Sequence, residues 1–339
     1  MRPSTRPIVR STIEWIGDHL ELSNSRAVSA VARRTGGAYQ AALLHPPPSW
    51  ARHAIELAQL RDPLRDVREL PPIDLVIPCH VKDVATLALA LAGGRASSRN
   101  PLNAVWLITP PESVDRLQSE FPEVEVESEA EVLGEMLVDT VDGYVPIERR
   151  GWVIQQLIKL TASMTSAASA TLVIDADTVL LAERTWLTAG GVQLLSYSRD
   201  FHLSYEAHAT QVWGRDAAPT GMNYITHHQL MQRDVMEEMF PEGRTSLARW
   251  VRLADWSNSS SALADYYSYG VWTSRNKRNR VRFGQLLNVG VSRTLLPNPE
   301  VDVRAQLAEL RFAFPAALSV SFHTYLDSPG STIAAPRAT

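Results

Sequence analysis

A single cysteine, Cys79, occurs in the 339 residues. One thiol excludes an intramolecular disulfide and any cysteine-built zinc cage, and it suits a reducing compartment. Long apolar runs are missing too: no stretch approaches the roughly 20 residues of a membrane span. The N-terminal MRPSTRPIVRSTIEWIGDHLEL has no unbroken apolar segment of a secretory leader. The expectation is a cytoplasmic protein, with any membrane contact peripheral and at the inner face. A basic excess is also lacking, the formal net charge being −4, so nucleic acid is not an expected partner.

What is present is an ordinary globular composition, 45% apolar and 21% charged. Residues 1–70 read as an N-terminal helical extension. Ile8, Ile13, Trp15, Ile16 and Leu20 make a rough helical stripe, Pro46 to Pro48 break the chain, and Ser49 is placed to cap a further helix. We expect this segment to cap the main domain, or else to mediate a homo-oligomer. Residues 71–327 read as one catalytic domain, and 328–339 (SPGSTIAAPRAT) as a flexible tail.

Within the main domain strands and helices alternate. IDLVIPCH (73–80) reads as a buried strand and VKDVATLALALAGG (81–94) as a helix ended by its paired glycines. NAVWLITP (103–110), PESVDRLQSEF (111–121) and EVEVES (123–128) continue as strand, helix and strand. RRGWVIQQLIKLTASM (149–164) is a long helix with Val153, Leu157, Leu160 and Met164 inward. This order predicts an α/β fold with a mixed, mostly parallel, Rossmann-like sheet flanked by helices.

The next stretch, ATLVIDADTVLL (170–181), ends a buried strand in two carboxylates, Asp175 and Asp177. Ligands of open parallel sheets sit outside the carboxyl ends of the strands. Residues two apart in a strand point the same way, which aims both acids into one site. Two close like charges need a cation, and a hard divalent ion, Mg²⁺ or Mn²⁺, also takes phosphate oxygens. The D-x-D pattern also occurs in haloacid-dehalogenase-like phosphatases, but there the strand opens the fold and a second acidic motif follows. Here βαβ structure comes first, and no such motif follows.

DLVIPCHVKD, RRGWVIQQLIKL, LVIDADTVLL and YITHHQLMQRDVMEEM together resemble a largely uncharacterised bacterial family of DxD-containing, GT-A type nucleotide-sugar glycosyltransferases. The resemblance spans roughly residues 73–325 and implies a GT-A-like fold, a nucleotide-diphosphate sugar donor of UDP or GDP type, and a divalent metal. It places nucleotide binding at IPCHVKD, on Pro78, His80 and Asp83. It implies donor contacts by Asp175, metal ligation by Asp175 and Asp177, and a C-terminal metal ligand in His323, delivered by a late strand in ALSVSFHTYLD (317–327).

Other segments add candidates. Arg150, at a helix N-terminus, suits a phosphate, and Gln155, Gln156 and Lys159 form a polar face for the diphosphate or donor sugar. In NYITHHQLMQRDVMEEMF (223–240), Thr226 and Gln229 have capping-box spacing, which puts His227 and His228 in a first helical turn as catalytic candidates. Leu230, Met231, Val235 and Met239 are expected on its buried side. Asp265, beside Tyr266, Tyr267 and Tyr269, is the candidate for acceptor recognition or base catalysis. RNKRNRVR (275–282) is expected as a solvated turn, with contact to anionic lipid or glycan as the alternative.

The expected function is metal-dependent transfer of a sugar to a hydroxyl acceptor, a glycan or a small molecule, in bacterial cell-surface glycan synthesis. A sugar-phosphate nucleotidyltransferase is the alternative, although IPCHVKD lacks the glycines its nucleotide loop would use. A non-catalytic nucleotide-sugar-binding protein of the same fold is the other.

Overall fold

Strand β1 (Ile73–Pro78) is buried along its whole length, as a central parallel strand covered on both faces must be. Its side chains alternate between two cores: Leu75 and Ile77 join one, Val76 the other. β2 (Leu102–Thr109) and β3 (Glu125–Ser128) extend the sheet in parallel on one side of it. On the other side β4 (Ala170–Ile174) pairs in parallel, and β7 (His228–Gln232) pairs antiparallel to β4. The resulting order is β3-β2-β1-β4-β7. The expected α/β class, a mixed and mostly parallel sheet flanked by helices, is what forms.

The computed structural model describes residues 62–64, 68–198, 202–257, 259, 261–315 and 317–323. The expected N-terminal extension, apart from 62–64 and 68–70, and the expected tail lie outside the described residues. Leu64 is buried, and the Asp62 carboxylate accepts bonds from Thr185 N at 2.9 Å and Thr185 Oγ1 at 2.7 Å.

Helix α1 (Val84–Ser97) lies against one face of the sheet, with Leu87 and Leu91 meeting Leu75, Leu107 and Leu172. It does not stop at its paired glycines as expected. A Cβ on Gly93 would lie 2.8 Å from Leu180 O, and one on Gly94 would lie 2.9 Å from a methyl of Leu75. The glycines are there to let the helix approach the strands. α2 (Val114–Glu120) precedes β3, and α3 (Glu129–Leu133) and α4 (Glu135–Tyr144) follow it. α5 (Arg150–Thr165) covers the opposite face, where Leu157, Ile158 and Leu160 pack with Val76 and Val173. Burying each such side chain is worth about 1.5–3 kcal/mol.

After β4 the chain leaves the main sheet. β5 (Thr178–Leu180) pairs antiparallel with β10 (Ser319–His323), which runs parallel to β9 (Asn288–Ser292). β6 (Gln193–Tyr197) and β8 (Val281–Gln285) form a parallel pair. α6 (Leu203–Trp213), α7 (Arg233–Met239), α8 (Arg244–Arg252), α9 (Asp265–Asn276) and α10 (Val303–Ala313) complete the described helices of this half.

The order β3-β2-β1-β4 runs outward from β1 in both directions, so the topology switches between β1 and β4. That arrangement opens a crevice at their carboxyl ends. Among the described residues no helix is long and apolar enough to cross a membrane.

Candidate active site

Asp175 and Asp177 stand at this crevice, though not by strand alternation. Residues 175–177 form the turn from β4 to β5, closed by Thr178 N donating to Asp175 O at 2.9 Å. Thr86 Oγ1 on α1 donates to Ala176 O at 2.7 Å and fixes the turn from behind. Both aspartates line a polar cavity of about 100 Å³ together with Lys82, Asp83, Gln155 and Arg293.

The two acids have different neighbours. Lys159 Nζ lies 2.5 Å from Asp175 Oδ1 and 3.1 Å from Asp265 Oδ2, and the lysine is 2% exposed. Burial alone would drive that ammonium toward neutrality, but the two carboxylates outweigh it and hold its pKa above the ordinary lysine value. Burial likewise opposes charge on Asp175, yet Lys159 and then His227 keep its carboxyl well below the usual range. Asp265 moves the other way, because burial outweighs the lysine. Tyr266 OH donates to Asp175 Oδ1 at 3.0 Å, with the lysine nitrogen 4.3 Å from its ring centre.

Asp177 instead meets the C-terminal strand. His323 Nδ1 lies 3.2 Å from its Oδ2, Thr178 Oγ1 donates to its Oδ1 at 3.2 Å, and Phe322 N donates to its main-chain oxygen at 2.8 Å. His227 Nδ1 lies 3.3 Å from Asp175 Oδ2, and its ring centre is 5.2 Å from that of His323. Two acid–histidine pairs therefore stand side by side. Burial pushes the His227 pKa down, but Asp175 more than offsets it and the net shift is upward.

His227 and His228 are not at a helix N-terminus, contrary to the capping-box reading. His228 opens strand β7, and Thr226 Oγ1 donates to His228 O at 2.7 Å rather than capping anything. His227 takes a φ of 56°, a left-handed conformation that costs a non-glycine residue free energy and that recurs at functional sites. That twist sends successive rings to opposite sides. His227 meets Asp175, while His228 is buried edge-on against Trp186, ring centres 5.5 Å apart. Burial, followed by the neighbouring His227, pushes the His228 pKa down to about 3. Leu230, Met231, Val235 and Met239 are buried as expected, the first two in the strand and the others in α7.

A larger cavity of about 330 Å³ adjoins the polar one and shares Lys82, Asp83 and Gln155 with it. Pro78 and His80 from the end of β1 line it, with Ile108, Glu129 and Trp152. Burial, helped by Glu112, raises the Glu129 carboxyl. Asp83 pairs with Arg293.

Other candidates lie elsewhere. Arg150 bonds Asp142 Oδ1 at 2.7 Å and lines neither cavity. Gln156 and Lys159, expected on a polar helix face, are buried: Gln156 Oε1 accepts from Asp265 N at 3.1 Å. Asp265 is 2% exposed, is paired with Lys159 and lines neither cavity. Tyr267 and Tyr269 are also core residues, with Tyr269 OH donating to Gln193 Oε1 at 2.6 Å. The expected basic turn begins at the end of α9 and runs into β8. Its Lys277 and Arg280 pair with Glu238 and Asp234, each at 2.6 Å.

Sequence reasoning missed Arg293, remote in the chain from the turn it joins, and also Glu129 and Trp152, which lie beside or within quoted segments but carry no pattern of their own. It also missed the lysine's role as counter-ion. Among the described residues no three acidic, histidine or cysteine side chains form a closed metal cage. The Asp177 carboxylate, beside His323, suits Mg²⁺ or Mn²⁺ in the mode in which one or two carboxylates hold the ion with water and substrate phosphates. Both oxygens of each aspartate have partners, and the difference is one of charge: Asp175 is already neutralised by the buried Lys159 ammonium, whereas Asp177 meets a hydroxyl and an imidazole.

No curated protein matches the sequence. Among solved structures, mouse xyloside xylosyltransferase 1 overlaps with 10% identity and a TM-score of 0.44, covering 76% of this chain and all of its own. The galactosyltransferase LgtC, in complex with donor and acceptor sugar analogues, overlaps at 11% identity and 0.40, covering 76% and 92%. Glucosyl-3-phosphoglycerate synthase from Mycobacterium tuberculosis, in complex with Mn²⁺, UDP-glucose and glycerol 3-phosphate, overlaps at 16% identity and 0.31, covering 49% and 58%. Likenesses of this size assign no chemistry. A family profile matches residues 72–285, which includes Lys159, Asp175, Asp177, His227 and His228 but ends before Arg293 and His323, and on that match the chain belongs to the family of unknown function DUF6492.

Proposed function

We propose that the protein is a metal-dependent glycosyltransferase that moves a sugar from a UDP- or GDP-type donor to a hydroxyl acceptor, a glycan or small molecule, in bacterial cell-surface glycan synthesis. One observation carries the reading. At the topological switch point, a small polar cavity holding Asp175, Asp177, Lys82 and Arg293 opens into a larger one at the ends of β1 and β2. The larger space suits a nucleoside and the smaller its diphosphate.

Asp177 and His323 would hold the ion. A bound Mg²⁺ or Mn²⁺ supplies charge neutralisation for the departing nucleoside diphosphate. Lys159 and Tyr266 hold Asp175 ionised and oriented toward the cavity. His227 turns Nδ1 to Asp175, which leaves Nε2 to meet a phosphate oxygen or an acceptor hydroxyl. His228 and Asp265 take no part in bond making, because both are 2% exposed, whereas the His227 side chain is 30% exposed.

Thermal shift with UDP and GDP, each with and without Mn²⁺, tests the reading. Stabilisation by one nucleotide that requires Mn²⁺ is the expected result. No shift with either nucleotide at millimolar concentration would overturn it.

A further inference from the structure

We propose that Arg293 is a positioning residue that fastens the nucleotide turn to the strand carrying His323. This rests on the nucleotide reading of the cavities. Arg293 follows β9, over 200 residues from the turn it meets. Its Nη1 donates to Lys82 O and its Nη2 to Asp83 Oδ1, and its Nε donates to Phe322 O at 3.3 Å. One planar guanidinium thus ties together the short turn Val81–Asp83, the Asp83 carboxylate and the end of β10. The ion pair is nearly dry, with side chains 16% and 8% exposed.

Two of those three attachments, on Lys82 and Asp83, line the polar cavity with Arg293 itself. Asp83 lines both cavities, Phe322 precedes His323, and Phe322 N also donates to Asp177 O at 2.8 Å. Arg293 therefore sets Asp83, on the nucleoside side, at a fixed distance from the Asp177–His323 pair on the metal side. It occupies one oxygen of Asp83 and leaves the other for a ribose hydroxyl. A lysine carries the same charge as a compact point on a flexible stem and cannot serve three acceptors in one plane. A role in charge alone would survive Arg293→Lys; a positioning role would not.

Two readouts on the full-length chain separate this proposal from the function on which it rests. The first is hydrogen exchange without any ligand. In Arg293→Lys the amides of residues 82–86 and 320–323 should exchange faster together, although some 240 residues separate the two segments. Asp83→Asn should loosen the same two segments from the other side of the ion pair. Unchanged exchange in both variants overturns the clamp, whatever the protein binds. The second readout is UDP and GDP affinity with Mn²⁺ by calorimetry, where Arg293→Lys should lose about tenfold or more, the scale on which orienting partners act. Affinity equal to that of the parent overturns the positioning role. A parent that binds neither nucleotide instead overturns the proposed function and leaves the exchange result to judge Arg293.

Discussion

The ammonium of Lys159 sits 2.5 Å from the carboxylate of Asp175, in the interior of the protein and within one cluster with Asp265. The cation that the paired aspartates demand is therefore partly built into the chain. Two like charges two residues apart need neutralising, and here the nearer half of that need is met by a side chain from α5. Asp177, whose carboxylate meets a hydroxyl and a histidine in place of an ammonium, is the acid left for an ion to neutralise.

Removing this lysine should be costly. Lys159→Met leaves two buried carboxylates without their cation, and breaking such a cluster costs roughly 3–5 kcal/mol. Adding Asp175→Asn should recover part of that loss, since it removes one of the orphaned charges. Urea unfolding of both single variants and the double variant checks this. Strict additivity of the two losses would show that the charges do not interact.

Two buried histidines predict an acid-labile fold. The pKa of His228 is about 3 and that of His208 about 4, both pushed down by burial, against 6.5 when unfolded. Between those limits the unfolded chain binds protons that the folded rings refuse, so stability falls as pH falls below about 6.5. For His228 the loss reaches about 2 kcal/mol at pH 5. Denaturation midpoints followed from pH 7 to pH 4 should show that slope, and His228→Gln should flatten it. A slope unaltered by the substitution would place the titrating group elsewhere.

A third substitution tests the packing behind the site. A Cβ added to Gly270 on α9 would lie 2.1 Å from Tyr224 Cγ. Overpacking of this kind typically costs about 1–3 kcal/mol or more, and the residue shares its helix with Tyr266. Gly270→Ala should lower the thermal midpoint by several degrees, whereas Gly143→Ala, where a Cβ meets nothing within 4 Å, should not.

The sheet was legible because β1, β2 and β4 are apolar runs bounded by turn residues, and the alternation of strands and helices dictates the parallel order. β7 was not. HQLMQ is buried on both faces, so it shows no period of two, and the Thr226–Gln229 spacing imitates a capping box. The polar Gln232-Arg233-Asp234 in the middle of the expected helix was the available signal that the chain changes element there. For the site, the acidic pair and His323 stood out by residue type and position near strand ends. Lys159 was noticed as a polar face, but its burial between two acids depends on α9 packing against α5, which no local pattern records. Arg293 gave no signal, since an arginine opening a single 3-10 turn (Arg293–Leu295) acquires its partners only when β9 and β10 close on the turn Val81–Asp83.

The last prediction separates the two aspartates. Asp175 is neutralised from inside by Lys159 and held by Tyr266 and His227, whereas Asp177 faces the cavity beside His323. Asp175→Asn should therefore cost stability first, because it leaves Lys159 with Asp265 as its remaining buried carboxylate. Asp177→Asn should leave the unfolding midpoint nearly unchanged without ligand, since that side chain is 24% exposed and its loss orphans no buried charge. It should nevertheless abolish the Mn²⁺-dependent part of nucleotide stabilisation, and His323→Gln should do the same. Thermal shift of all three variants, with UDP and GDP and with Mn²⁺ present or absent, reads both quantities at once. If Asp177→Asn binds nucleotide with Mn²⁺ as the parent does while Asp175→Asn does not, the metal contact belongs to Asp175. Lys159 must then leave it when the ion arrives.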